Sequence, residues 1–96
     1  MKSWINRLLN GSTTREGYEY GVAGSPAVPD RTPGGHDRTI EPDSLTVWFE
    51  NGRWAYVEIA GVLAHNPDVR ITRRFDEQRD LPGWAVPYLN AHEENA

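Results

Sequence analysis

Cysteine is absent from the 96-residue chain. That excludes a disulfide framework, thiolate metal sites and thiol catalysis. Lysine is nearly absent too: Lys2 is the one lysine, beside nine arginines. Long apolar runs are missing. No stretch approaches the ~20 residues of a membrane helix, and the opening Met1-Lys2-Ser3-Trp4 lacks the apolar region of a signal peptide. The expectation is a small soluble protein of the cytoplasm, without a membrane span. The arginine bias, with nine glycines, seven prolines and four tryptophans, suggests a GC-rich genome, such as an actinobacterium or one of its phages. If the gene is phage-encoded, the compartment is the host cytoplasm.

Hydrophobic residues make up 38% of the chain, below the usual globular share. A chain of this length accommodates one domain, here taken as 1–96, and its core must be built on a few large side chains. The formal net charge of -4 is uneven. Residues 1–44 carry -1, residues 45–75 carry +1 and residues 76–96 carry -4. This acidity is too slight for a DNA mimic, and the chain is too acidic for a general nucleic-acid coat.

Ser3 can cap a short helix over 3–10, with Trp4, Ile5, Leu8 and Leu9 as its apolar stripe and Asn10-Gly11 as its stop. Two turns of helix are unstable alone, so this element must dock on something. Asn10-Gly11-Ser12 is formally a glycosylation sequon, but here it signals only a turn. Tyr18, Tyr20 and Val22 alternate with Glu19 and Gly21, the pattern of a short edge strand. Residues 21–43 then lose all periodicity. Four prolines, four glycines and only Val22, Val28 and Ile40 as large aliphatics predict an extended arm or linker.

From residue 44 to 96 the pattern is that of a β-meander followed by a helix. Leu45 to Glu50, Asn51-Gly52 and Arg53 to Ile59 form a strong hairpin signal, because Asn-Gly supplies the two positive φ angles of a type I′ turn. Regular pairing sets Glu50 opposite Arg53, Phe49 opposite Trp54 and Val47 opposite Tyr56. Leu45, Val47, Phe49, Trp54 and Tyr56 then share the core face. Trp48, Arg53, Val57 and Ile59 fall on the opposite face, which would also need cover. Gly61 marks a bulge or bend, Asn66-Pro67-Asp68 a turn, and Val69 to Phe75 a third strand. Leu81, Trp84, Ala85, Tyr88, Leu89 and His92 follow helical spacing, with Pro87 acceptable in the first turn. The expected class is α+β: three antiparallel strands, or four if the Tyr18–Val22 segment joins, packed on a C-terminal helix, with a short N-terminal helix and a long irregular arm.

No catalytic arrangement emerges. His36, His65 and His92 lack ligand spacing, and Gly34-Gly35-His36 neither follows a strand nor opens a helix. His36, Asp37, Glu41 and Asp43 could clasp a metal only from a flexible stretch. The sequence therefore assigns no catalytic residue, no cofactor and no metal. Two binding classes remain. Ten aromatic residues and a hairpin apolar on both faces point to a small accessory protein that binds a protein partner or itself as a homo-oligomer, through Trp48, Arg53, Val57, Ile59 and Trp4. The alternative is nucleic-acid binding through an arginine strand. There Arg70, Thr72 and Arg74 share one face of the strand beside Trp48, while Arg73 of the same strand falls on the other face with Val69, Ile71 and Phe75. Pairing of these arginines with Asp76, Glu77 and Asp80 would instead give an ordinary solvated sheet face.

Overall fold

The computed structural model describes residues 3–10, 13–31 and 37–93, with the backbone alone at 3–10, 13, 31, 37, 92 and 93. It shows an antiparallel sheet and a short C-terminal helix, an α+β chain. The strands are β1 (Ser3–Asn10), β2 (Thr13–Gly21), β3 (Val28–Arg31), β4 (Asp37–Glu50), β5 (Arg53–Leu63) and β6 (Asn66–Phe75). They pair in the order β1-β2-β4-β5-β6, and β3 joins β4 beyond the end of β2. Two 3₁₀ turns, Gln78–Asp80 and Gly83–Ala85, lead into α1 (Val86–Glu93).

The first correction falls on the N-terminal segment, which is a strand and not a helix. Trp4, Ile5, Leu8 and Leu9 are spaced by four in two pairs. A spacing of four suits one helix face, but it also suits a strand, whose faces alternate every two residues. Pairing decides between them. The segment runs antiparallel to β2 over its whole length, from Ser3 opposite Tyr20 to Asn10 opposite Thr13, whereas a two-turn helix has little stability of its own. The Gly11 of the expected helix stop lies outside the described residues. β2 is consequently an interior strand, not an edge.

The second correction concerns residues 21–43. Val28–Arg31 pairs with residues 37–40, and β4 begins at Asp37. The three large aliphatics of this stretch are all in the core: Val22 is 3% exposed, Val28 1% and Ile40 0%. Three anchors plus a ladder hold it to its own sheet. Residues 32–36, including His36 of the suggested metal clasp, lie outside the described residues.

The hairpin has the expected turn. Asn51 and Gly52 have φ of 53° and 80°, and Glu50 faces Arg53 while Phe49 faces Trp54. One step further the expectation fails. Ala55 is an extra residue, so Trp48 faces Tyr56 and Val47 faces Val57. This β-bulge exchanges the two faces for the rest of β5. Val57 and Ile59 turn inward at 1% and 0% exposure, and Tyr56 moves to the outer face. A second extra residue, Asp43, bulges β4 opposite Ala60 and Gly61. A side chain at Gly61 would collide with the Glu41 carbonyl, so only glycine tolerates this approach. The next turn is at Ala64–His65, not at Asn66–Asp68, which already belong to β6.

Leu45, Val47, Val57, Ile59 and Phe75 form the inner face, covered by Leu81, Ala85 and Leu89 at i, i+4 and i+8. Trp84 and Tyr88 pack at the margin of the cluster, and Tyr88 meets Tyr20 with ring centroids 5.1 Å apart. Pro87 sits in the first turn of α1, where its missing N–H costs nothing. Sheet curvature also brings the β3 and β6 edges towards each other. The Arg73 guanidinium donates from β6 to the Pro29 carbonyl of β3, and its Nε lies 3.9 Å from Asp30 Oδ1. Asp30 also accepts from Arg38 at 2.7 Å.

Candidate functional site on the outer sheet face

Alternation along β2, β4, β5 and β6 brings Gly17, Trp48, Tyr56, Glu58, Arg70, Thr72 and Arg74 to the face away from α1. Trp48 anchors it. Its six-membered ring lies on Gly17, where an added Cβ would stand 2.7 Å from Cζ3. Its indole N–H donates to Glu58 Oε1 at 2.7 Å. Trp48 and Tyr56 are 6.1 Å apart between centroids at 30°. Arg74 places its guanidinium 3.8 Å from the Tyr56 centroid, and Arg15 lies 6.0 Å from both rings. These are cation–π distances. Tyr56 is only 7% exposed as a result.

The charges here are largely matched within the chain. Arg74 Nε donates to Asp76 Oδ1 at 2.7 Å, as expected for a solvated sheet face. That hydrogen bond raises the Arg74 pKa further above its ordinary value. Arg70 makes a two-pronged contact with Asp43, at 2.7 and 3.0 Å. The hydrogen bond from Arg70 holds the Asp43 carboxyl below the usual carboxylate range, against a smaller opposing effect of burial. Asp43 reaches Arg70 because it is the bulged residue of β4. The sequence offered no signal for this long-range pair. Arg79 pairs with Glu77 at 2.5 Å.

The residues named from sequence are therefore only partly brought together. Trp48, Arg70, Thr72 and Arg74 share the outer face, and Arg53 is exposed beside the turn. Val57 and Ile59 are core residues and are not available to a partner. Arg73 lies opposite Ile59 on the inner face, its guanidinium 4.4 Å from the Phe75 centroid. Trp4 is placed in β1, opposite Glu19. Sequence reasoning missed Arg15, set Tyr56 on the core face and named Asp43 only in a metal clasp. Tyr56 could not be placed outside without knowing of the Ala55 bulge.

Among the described residues, no group of three or more His, Asp or Glu side chains could hold a metal, and no helix is long and apolar enough to cross a membrane. A cavity of about 130 Å³ lies between Arg38, Thr39, Leu63, Ala64 and His65, below the ~300–1,000 Å³ of small-molecule sites. In comparisons with known proteins, no family, no curated protein and no solved structure matches this chain.

Proposed function

We propose that this chain is a small non-enzymatic accessory protein that acts by binding a protein partner or a second copy of itself. The observation that carries this reading is the open sheet. Among the described residues β1 and β6 end the strand order, each paired on one side, and an unpaired strand edge offers a row of backbone donors and acceptors to another chain. The outer face supports it as a second contact surface. Trp48 and Arg53 remain partly accessible there, and indole and guanidinium groups are favoured at protein interfaces. Phage origin and a cytoplasmic setting remain part of the proposal through composition alone.

A nucleic-acid partner has less support. Arg70 and Arg74, the cations such a surface would use, already have carboxylate partners in Asp43 and Asp76. Phosphates would have to displace them against a net negative chain.

The test compares the wild-type chain with one blunted at both edges by Asn6→Pro and Thr72→Pro, its fold checked by circular dichroism. Retention of a purified protein, or of the chain itself, by the wild type and its loss with the blunted chain is the expected result. Equal retention by both, or a complex with nucleic acid that weakens steeply with salt, would overturn the reading.

A further inference from the structure

The three edges of the sheet are not equivalent. β3 contains Pro29, which has no N–H to offer, and its carbonyl accepts from Arg73. β6 carries Arg70, Arg73 and Arg74 within five residues. Proline and clustered charge are the usual devices that keep an edge strand from pairing, and Arg73 also links the two edges to each other. β1 has neither device. Its sequence, Ser-Trp-Ile-Asn-Arg-Leu-Leu-Asn, holds no proline, no glycine and one charge, Arg7. It is paired through all eight residues on the β2 side. In an antiparallel ladder alternate residues direct their backbone groups to opposite sides, so the other side of β1, unpaired among the described residues, presents a row of its own.

We infer that the partner at this edge is a second copy of the chain, its β1 running antiparallel to the first about a two-fold axis through Asn6. This rests on the protein-interaction reading and names its partner and register. The register follows from symmetry. A two-fold axis perpendicular to the sheet keeps the faces continuous, so each residue must oppose one from its own face. The ladder is then centred on a residue, and three centres can be compared. Centring on Arg7 sets Arg7 against Arg7, like charges directly opposite, which is destabilising. Centring on Ile5 pairs only residues 3–7 and leaves Leu8 and Leu9 beyond the ladder. Centring on Asn6 pairs residues 3–9 of each copy. Trp4 then stands opposite Leu8 on both sides of the axis, Asn6 opposite Asn6, and Ile5 opposite Arg7. The two Trp4–Leu8 pairs are apolar, Asn6 falls opposite its own copy at the axis, Ser3 falls opposite Leu9, and no charge faces its like. β1, paired with β2 alone among the described residues, also gains a second neighbour.

The axis position gives a specific test. Light scattering over about a hundredfold concentration range should show the wild-type mass rising to twice the chain mass. Asn6→Glu and Asn6→Lys, each alone, place like charges together at the axis and should halve that mass. Mixing the two variants should restore a one-to-one dimer, and circular dichroism of each alone should match the wild type. Because the chain has no cysteine, Asn6→Cys supplies a single thiol. Mild oxidation should link it into a covalent dimer, whereas Arg7→Cys, offset from the axis, should link far more slowly. A wild-type dimer that survives both charge variants would overturn the β1 register and leave self-association elsewhere on the chain. A strict monomer at every concentration would overturn the dimer itself. Partner capture through another edge would still satisfy the broader protein-interaction reading.

Discussion

The two faces of the sheet solve the same problem differently. The inner face is apolar and is closed by a short C-terminal element, with Leu45, Val47, Val57 and Ile59 at 1% exposure or less. The outer face has no covering layer among the described residues. It is shielded by its own side chains: Trp48 lies on Gly17, Arg74 lies over Tyr56, and carboxylates pair with Arg70 and Arg74. The inner face depends on burial, which scales with the area removed from water. The outer face depends on geometry at a few atoms, much of it within reach of solvent. The second face is thus shielded by its own rings and guanidinium groups.

Deletion at two places in β5 offers the strongest way to break this contrast. Removing Glu58 shifts Ile59 to the outer face and should abolish cooperative urea unfolding, since a one-residue slip inverts every side chain beyond it. Removing Ala55, the bulged residue, leaves Val57 opposite Val47 and should preserve a cooperative transition. Equal damage from both deletions would show that the bulge does not set the faces.

Truncation inside the core comes next. Ile59→Ala should cost about 2–5 kcal/mol in urea denaturation, for lost burial plus the cavity left behind. A cost below ~1 kcal/mol would mean that the inner face is not close-packed.

On the outer face, Gly17→Ala should cost about 1–3 kcal/mol, because a methyl group there must push the Trp48 ring away. Tryptophan emission should shift to the red as the indole lifts into water. Unchanged emission and stability would show that the ring does not rest on Gly17.

The smallest effect is expected at Asp43. Its carboxyl has a lower pKa in the folded chain than its ordinary value of 3.8, because Arg70 hydrogen-bonds the charged form. The pair therefore stabilises the fold above that ordinary value, and the contribution is lost as pH falls through the folded-state value. The pair is largely exposed, so water screens it and the change is slight. Arg70→Ala should lower the pH 7 melting temperature slightly, and the gap to wild type should close below about pH 4, giving the variant a flatter acid limb. An unaltered acid limb would show that Asp43 does not gain from this pair.

Local chemistry was the part of the fold that could be read directly. The Asn51-Gly52 turn follows from the positive φ that those two residues tolerate, and Leu81, Ala85 and Leu89 mark the buried side of the C-terminal element by spacing alone. Phe75 and Ile71 were correctly placed on the side opposite Arg70, Thr72 and Arg74. Failure came where two periods coincide or one residue is added. Apolar residues four apart in 4–9 satisfy helix and strand equally. Ala55 carries no mark that distinguishes a bulge from the next residue of a regular strand, yet it decides whether Val57 and Ile59 face the core or the solvent.

By itself, then, the sequence determined an α+β chain without disulfides, with a two-residue positive-φ turn at Asn51-Gly52 and an apolar C-terminal stripe. Those features depend on residues near one another along the chain. Tertiary structure decided that residues 3–10 are a strand, that Val22, Val28 and Ile40 anchor the proline- and glycine-rich stretch, and that Asp43 meets Arg70 across 27 positions. The reason is physical: strand pairing and bulge placement depend on which distant segment supplies the neighbour. That choice is made by the burial and hydrogen bonding of the whole sheet, not by any window of sequence.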